Sequence, residues 1–465
     1  MTRRTFSLAP VAALFVAISQ LAGSAGAVSA TASAETMPAT VQSDSTVKSQ
    51  PVPVALDEAK AKPEGSVSAK TAKPKTRKAV AKKKSKARRP ARVVAKAPAV
   101  APDPEPEPAD PVTQPLQAAY DLATTNTCAD SYWRKVKVSG YANASYTYNF
   151  AKPRSGINST RLFDRYDDEA VFNIGQLAVT AEATTASRVG FSVKANIGRD
   201  ARTYEAFNEP VADNASLPEA YVSYRLTDEW LIKAGRMPTL AGFEVLDEKD
   251  NFNISRGYMF QYLEPFTHTG LRATYTGTEG REWTFGVNRG YDTFRYDNND
   301  ATSYEAQYKK KINDEFNYAL TVIGGPEQFE NSRQGRFLTN FILNYTPNTK
   351  TTLGASVDYV HEGKTAIEGG GEGQNLGVGL YAKRDVTEKL SFAGRLEGMT
   401  DSDGRATGEK RNLGNLTLTA QYKLRKNLMS RLELRHDASD RRSFETDGST
   451  ARSQNTVAAS MIYTF

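Results

Sequence analysis

The segment from Gln454 to Phe465 reads QNTVAASMIYTF and alternates with a period of two. The apolar parity comprises Val457, Ala459, Met461, Tyr463 and Phe465, and the other parity includes Thr456, Ala458, Ser460 and Thr464. Because successive side chains of a strand point to opposite faces, the segment is predicted to be a strand with one apolar face. Aromatic residues closing such a face are typical of membrane barrels. In lipid every backbone group must be paired, so the rest of the chain is expected to close a barrel around this strand.

The same period of two begins at Val136 and predicts further strands. The predicted segments are 136–149, 170–184, 188–199, 218–227, 229–237, 268–277, 281–290, 303–312, 315–324, 335–346, 350–361, 374–385, 388–399, 411–424, 427–437 and 454–465. Short Asn-, Asp-, Gly- and Thr-rich connectors alternate with long polar ones, as the periplasmic turns and external loops of outer-membrane barrels do. The predicted fold class is all-β, a transmembrane antiparallel barrel of about sixteen strands. Counts of about 14 or 18 stay open, because the stretches 256–262 and 413–424 are ambiguous in length.

Composition separates this prediction from other membrane and soluble classes. The 465 residues are 39% hydrophobic with a mean hydropathy of −0.54, and no long apolar run follows the first thirty residues, which excludes a helical membrane protein. Rows such as Leu416, Leu418, Ala420 and Tyr422 are candidate lipid-facing positions, with Thr417 and Thr419 on the opposite face. A large soluble β-sandwich or propeller is the alternative fold.

The N-terminal third divides into three parts before the barrel, which is predicted over residues 136–465. Residues 1–27 have the pattern of a secretory signal peptide, with cleavage between 27 and 34. Residues 28–111 are rich in Ala, Lys and Pro, which predicts a disordered periplasmic extension, and residues 112–135 form a linker with room for a short helix. The extension carries thirteen Lys or Arg and no acid between Lys70 and Lys96, so the formal charge of +7 belongs to this tail. Peptidoglycan or another anionic polymer is its candidate partner, and nucleic acid is not expected.

A family resemblance is carried mainly by residues 138–292. The matching positions are Gly140-Tyr141, Gln176-Leu177, Gly198-Arg199-Asp200, Ala220-Tyr221, Gly235-Arg236, Gly242, Glu244, Asn251, Ser255-Arg256, Pro265 and His268-Thr269-Gly270. This stretch resembles the OmpL-like β-barrel porin family of Gram-negative outer membranes, and the ending resembles the C-terminal strand of such barrels, in which a terminal Phe is an assembly signal. The resemblance implies an outer-membrane porin in contact with lipid and with the assembly machinery, with Tyr463 and Phe465 as the signal. A homotrimer is one open arrangement.

A barrel of about sixteen strands is wide enough to enclose an aqueous channel. The longest connector, 238–267, is also the most charged, and the hypothesis is that it forms a constriction against bases on the barrel wall. Its candidate residues are Glu244, Asp247, Glu248, Asp250 and Arg256; the wall candidates are Lys194, Arg199, Arg225, Lys233, Arg236, Arg272, Arg395, Arg431 and Arg435. The opposite expectation is that the loop projects outward as a solvated cap.

The predicted function is passive diffusion of small hydrophilic solutes, with a weak preference for anions. The alternative is a structural or adhesive barrel with a plugged lumen, acting through its external loops or through the tail. Only three histidines are present, and His268 has no evident nucleophile beside it, so no catalytic residue is assigned. No metal site and no cofactor are expected.

Overall fold

The computed structural model describes residues 135–205, 214–294, 296–364 and 371–465. The predicted signal peptide, the basic extension and the linker up to residue 134 therefore lie outside the described residues. Within the described residues, no helix is long and apolar enough to cross a membrane.

Antiparallel strands dominate this part of the chain. They are β1 (Lys137–Asn149), β2 (Glu169–Ala181), β3 (Val189–Ile197), β4 (Ala215–Arg225), β5 (Trp230–Pro238), β6 (Thr267–Thr276), β7 (Arg281–Asn288), β8 (Ser303–Lys311), β9 (Phe316–Gln328), β10 (Asn331–Asn348), β11 (Thr351–Glu362), β12 (Gly373–Asp385), β13 (Leu390–Asp401), β14 (Arg411–Arg425), β15 (Leu428–Ser439), β16 (Phe444–Glu445), β17 (Thr450–Ala451) and β18 (Ser453–Thr464). The short helices are two 3-10 segments, Arg199–Glu205 and Glu248–Asp250, and α1 (Tyr258–Tyr262).

Sixteen of these strands form one closed barrel, in which each strand pairs with its neighbours in sequence and β1 pairs with β18. The small strands β16 and β17 form a separate hairpin. The predicted count of sixteen is confirmed. The first ambiguous stretch contains α1 rather than a strand, and the second is the single strand β14.

The closing strand has the predicted two faces. Met461, Tyr463 and Phe465 are exposed on the outside, whereas Ser460 and Ile462 are buried inside. The terminal residue is held by two backbone hydrogen bonds of 3.0 Å with Gly140, one in each direction. Barrel closure therefore extends to the last residue of the chain.

The outer surface is an apolar belt built from one parity of each strand. Its exposed members include Phe337, Phe341, Leu380, Leu416, Leu418, Leu432 and Leu434. This belt matches the predicted lipid-facing rows, and exposed apolar faces on every side of a closed sheet are what a hydrocarbon solvent requires.

Candidate functional site

The connector between β5 and β6, residues 239–266, lies inside the barrel and is called the lumen loop below. It contacts β10, where Asn340 Oδ1 accepts a 3.2 Å hydrogen bond from the backbone N–H of Gly242. It also reaches β15, where Glu433 accepts hydrogen bonds from the backbone N–H groups of Ile254 and Ser255 at 2.6 and 3.1 Å. These contacts place the loop against the inner wall rather than outside the barrel.

An ion pair fixes the loop to β13. Arg395 donates to the carboxylate of Glu244 at 2.5 Å, and both side chains are buried. The same guanidinium donates to the backbone carbonyl of Ser255 at 2.7 Å, and Glu244 accepts from the N–H of Gly257 at 2.6 Å. The pair is thus supported by further hydrogen bonds, which a buried ion pair needs to offset its desolvation cost.

A second carboxylate on β13 holds the start of α1. Glu397 accepts hydrogen bonds from the backbone N–H groups of Tyr258 and Met259 at 2.6 and 2.8 Å. These N–H groups have no partner within a helix, because they belong to its first turn. Glu397 therefore caps α1 from the wall.

Two arginines of β15 bind the loop through its backbone. Arg431 donates to the carbonyl oxygens of Glu248 and Asn251 at 3.3 and 3.1 Å. Arg435 donates to the carbonyl of Arg256 at 2.7 Å and to Asp437 at 2.7 Å. Both arginines are buried by the loop, so they are anchors rather than bases facing open water.

The loop also contacts the strands at the start of the barrel. Asp247 accepts from Lys194 at 2.8 Å and from Gln176 at 2.7 Å. Burial alone would raise the pKa of Asp247, but Lys194 and Gln176 outweigh it and hold that pKa below its usual value. Glu248 accepts a hydrogen bond from Asn143. With anchors on β1–β3, β10, β13 and β15, the loop spans the lumen.

Asp292, in the connector between β7 and β8, binds the far end of the loop. It accepts hydrogen bonds from the backbone N–H groups of Phe266 and Thr267, both at 2.8 Å. Burial raises the pKa of Asp292 to about 6, even though these hydrogen bonds act to lower it. The carboxyl group thus titrates within the range of ordinary buffers.

This shift predicts a pH dependence that Asp292→Asn removes. The folded state holds the proton more tightly than the unfolded chain, so this group lowers stability as pH rises from 5 to 7, by ~1 kcal/mol. We expect the urea midpoints of wild type and variant, measured at both pH values on the refolded barrel, to differ least at pH 5. Asp300→Asn, at an exposed position of the same connector, is the control and should leave the wild-type dependence unchanged. The same pH dependence in all three proteins would contradict the assignment.

Apolar side chains fill much of the lumen around α1. One cluster joins inward residues of β9, β10, β11, β13 and β14 to the lumen loop; its members include Ile323, Leu338, Val360, Met399, Leu413, Tyr258, Met259 and Leu263. A second cluster contains Tyr141, Phe163, Ile174, Tyr204, Phe260, Phe266 and Ile462. The inner face is therefore partly apolar, and the polar rows predicted opposite the lipid-facing rows account for only part of it. The sequence did carry a signal, since Phe337-Leu338 and Phe341-Ile342 place apolar residues on both parities of β10.

The remaining wall candidates occupy different positions. Arg236 and Arg272 are buried in ion pairs with Glu205 and Glu305, at 2.6 and 2.8 Å. Lys233 lies over the ring of Tyr221, 4.6 Å from its centroid. Arg236 and Arg272 are thus neutralised by carboxylates, whereas Lys233 contacts an aromatic ring.

Three further candidates lie away from the middle of the wall. Arg199 is in the 3-10 helix beyond the end of β3 and pairs loosely with Glu169 at 3.7 Å, because β3 ends at Ile197. Arg225 donates to the carbonyl of Asp228 in a short turn at 3.1 Å. Asp250 is half-exposed and pairs with its neighbour Lys249 at 2.6 Å. Arg199 and Arg225 therefore lie at the two rims of the barrel and not on the wall, where they were predicted.

A cavity of about 580 Å³ lies between the lumen loop and the ends of β7–β10 that carry the short turns. Its loop side includes Leu240, Val245 and Leu246, and its wall side includes Gln307, Lys309, Lys311, Asn317, Ile342 and Asn344. Gln307 donates to the carbonyl of Leu240 at 2.7 Å, which shows that this face of β8 points into the lumen. We call this space the vestibule.

Comparison with known proteins agrees with this architecture. The anion-selective porin from Comamonas acidovorans superposes with a TM-score of 0.53 at 11% identity, covering 71% of this chain and 99% of that one. OmpF of Salmonella typhi in complex with daunomycin gives 0.51 at 10%, covering 71% and 97%, and the outer-membrane channel DcaP of Acinetobacter baumannii gives 0.50 at 12%, covering 71% and 97%. At such identities these likenesses show the fold alone. No curated protein matches the chain.

A match to a family model also shows to which family the chain belongs. The model described as "Putative beta-barrel porin-2, OmpL-like" matches residues 135–465, which is the entire barrel. The match includes the lumen loop and the closing strand, and porins of this kind are proteins of the outer membrane. The chain therefore belongs to the OmpL-like β-barrel porin family.

Proposed function

We propose that the barrel is a passive diffusion channel for small hydrophilic solutes that favours anions, with the N-terminal extension in the periplasm. The observation that carries the anion preference is the basic vestibule beneath the lumen loop. Lys309 and Lys311 lie on the inner face of β8 there. The periplasmic placement is supported by β1, which begins opposite Thr180 at the barrel end that carries the short turns.

The acids of the lumen loop do not cancel these bases. Glu244 is bound by Arg395 and Asp247 by Lys194, so both carboxylates already have cationic partners. In the vestibule, Glu282 pairs with Lys309 at 3.2 Å. Lys311 pairs with the turn residue Asp314 at 2.8 Å, but Arg281 and Lys310 also line the vestibule, so its bases outnumber its acids, Glu244 and Glu282. A surplus of one sign in a confined aqueous space raises the local concentration of the opposite ion.

The expected result for the channel is stable single-channel conductance of the refolded barrel with an anion-to-cation permeability ratio above unity. In the double variant Lys309→Gln and Lys311→Gln, this ratio is expected to fall about twofold, because two charges are removed from the confined space. The reversal potential in a salt gradient across a planar bilayer measures it.

The matched control removes two lysines from the same end of the barrel but outside the vestibule. Lys389→Gln and Lys426→Gln lie in short turns and are exposed. An equal fall of the permeability ratio in this control would show that the charge of the rim, not the vestibule, sets selectivity.

A second candidate function is a structural barrel with a sealed lumen. It is favoured by the two apolar clusters, which occupy the lumen around α1 with side chains such as Met259 and Phe260. This candidate predicts that a correctly folded barrel gives no conductance. Function would then be sought in the long loops, or in attachment of the basic segment Lys70–Lys96 to an anionic cell-wall polymer.

A further inference from the structure

The vestibule combines an apolar ceiling with a basic wall. Leu240, Val245 and Leu246 of the lumen loop form the ceiling, and Lys309 and Lys311 stand on the wall. Val245 has 44% of its surface exposed, which is unusual inside this barrel, where the other inner residues are either polar or packed in apolar clusters. The vestibule therefore offers both apolar surface and positive charge to one occupant.

Hydrogen bonds within the lumen loop and from the barrel wall hold the ceiling in place. Asn251 accepts from the N–H of Val245 at 2.9 Å and donates to the carbonyl of Val245 at 2.7 Å, which clamps this residue in the loop. The carbonyl of Leu240 accepts from Gln307 at 2.7 Å and from Thr321 at 3.3 Å. Because these polar groups are engaged, the surface facing the vestibule at Val245 and Leu240 is aliphatic.

Charge on the two sides of the vestibule is unequal. Glu244 also lines it, but this carboxylate is bound by Arg395 at 2.5 Å and by Gly257 N–H at 2.6 Å. Lys309 pairs with Glu282 at 3.2 Å, and Lys311 pairs with the turn residue Asp314 at 2.8 Å. About half or more of each lysine side chain is exposed. Neutral amides, Asn317 and Asn344, complete the wall. Because both ammonium groups are partly exposed, an anion that enters from the short-turn end of the barrel can reach them.

We propose that the vestibule selects organic anions that carry an apolar body, such as alkyl or aryl carboxylates, over inorganic anions and sugar-like anions. The carboxylate would lie near Lys309 and Lys311, and the apolar body would cover Val245 and Leu240. A hydroxyl-rich solute gains nothing from the ceiling, because its polar groups would lose water without finding partners. This inference names the solute class of the proposed channel and so rests on that proposal.

The test compares acetate, butyrate and hexanoate, with hexylammonium as the cation of matched length. In planar bilayers, the concentration that halves the chloride current is expected to fall along the carboxylate series, by up to about fourfold per buried methylene. Hexylammonium should block less than hexanoate. Equal block by all three carboxylates in a barrel that conducts chloride would overturn the inference and leave the channel proposal standing.

Val245→Thr keeps the shape of the ceiling residue but adds a hydroxyl. In this variant the concentration that halves the chloride current should depend less on the length of the carboxylate. Val386→Thr makes the same change in an exposed short turn and should leave the dependence intact. The same flattening in both variants would overturn the role of the ceiling.

Binding is also measured without conduction, by equilibrium dialysis of radiolabelled hexanoate against the barrel in lipid nanodiscs. Wild type and Val386→Thr are expected to bind more hexanoate than Val245→Thr in identical lipid. This difference in a barrel that carries no current would refute the channel while supporting the site, and equal binding by all three proteins would refute the site.

Discussion

Replacing Arg395 by alanine is expected to release the lumen loop from β13 and to increase single-channel conductance. Arg395 is the cation that faces Glu244, and it also holds the backbone carbonyl of Ser255. Its removal leaves a buried carboxylate without a cation, a change that costs about 3–5 kcal/mol. We expect the loop to recover part of this energy by exposing Glu244 to water, which moves it away from the wall.

Two measurements detect this release. Conductance reports the width of the lumen, and limited trypsin digestion reports exposure of Lys249 within the loop, which is only partly exposed in the folded barrel. The double variant Glu244→Gln and Arg395→Gln removes both charges of the pair. It is expected to lose less trypsin resistance and to gain less conductance than Arg395→Ala, because Glu244 is then not left as an unpaired charge. Arg384→Ala, on the outward face of β12, is the control for loss of an arginine. Wild-type conductance and trypsin resistance in Arg395→Ala would show that the pair does not hold the loop.

The strands were predictable because a barrel in lipid imposes the same rule on each of them. In each strand every second residue must be apolar and face the lipid. The predicted segments 411–424 and 454–465 accordingly differ from the observed β14 and β18 by only one residue at an end. The location of the lumen loop was a hypothesis drawn from its length and charge, and its contacts with β10, β13 and β15 agree with it.

The partners within the lumen were not predictable, because they are far apart in sequence. Glu244 and Arg395 are separated by 151 residues, and no periodic pattern specifies which of several wall arginines meets which loop acid. The inner apolar residues were missed for a related reason. Alternation predicts a polar inner face only where that face meets water, whereas Leu338 and Val360 meet α1 of the lumen loop.

Gly377→Leu is expected to widen the lumen without altering any charge. Gly377 lies on the inner face of β12, and a Cβ atom at this position would stand 2.7 Å from Leu263 Cδ1 and 2.7 Å from Met259 Cγ. Such distances are not tolerated, so the Leu263 and Met259 side chains must move first, and the bulk of a full leucine side chain then pushes on the wall or on α1. The wall is part of a continuous hydrogen-bonded barrel, whereas α1 is a helix of five residues in a loop. We therefore expect α1 to be displaced, at a cost of about 1–3 kcal/mol typical of overpacking, and the conductance to rise.

The control for this substitution is Gly394→Leu on the outward face of β13, where the nearest atom to a new Cβ is 3.5 Å away on Leu418. It adds the same side chain to the barrel but leaves α1 untouched, so its conductance should equal that of wild type. A rise in both Gly377→Leu and Arg395→Ala would show that the lumen loop is the barrier to passage, since one variant acts by volume and the other by charge. Current in Gly377→Leu from a barrel that is silent as wild type would identify α1 as the plug. Unchanged conductance in a folded Gly377→Leu barrel would place the barrier elsewhere in the lumen.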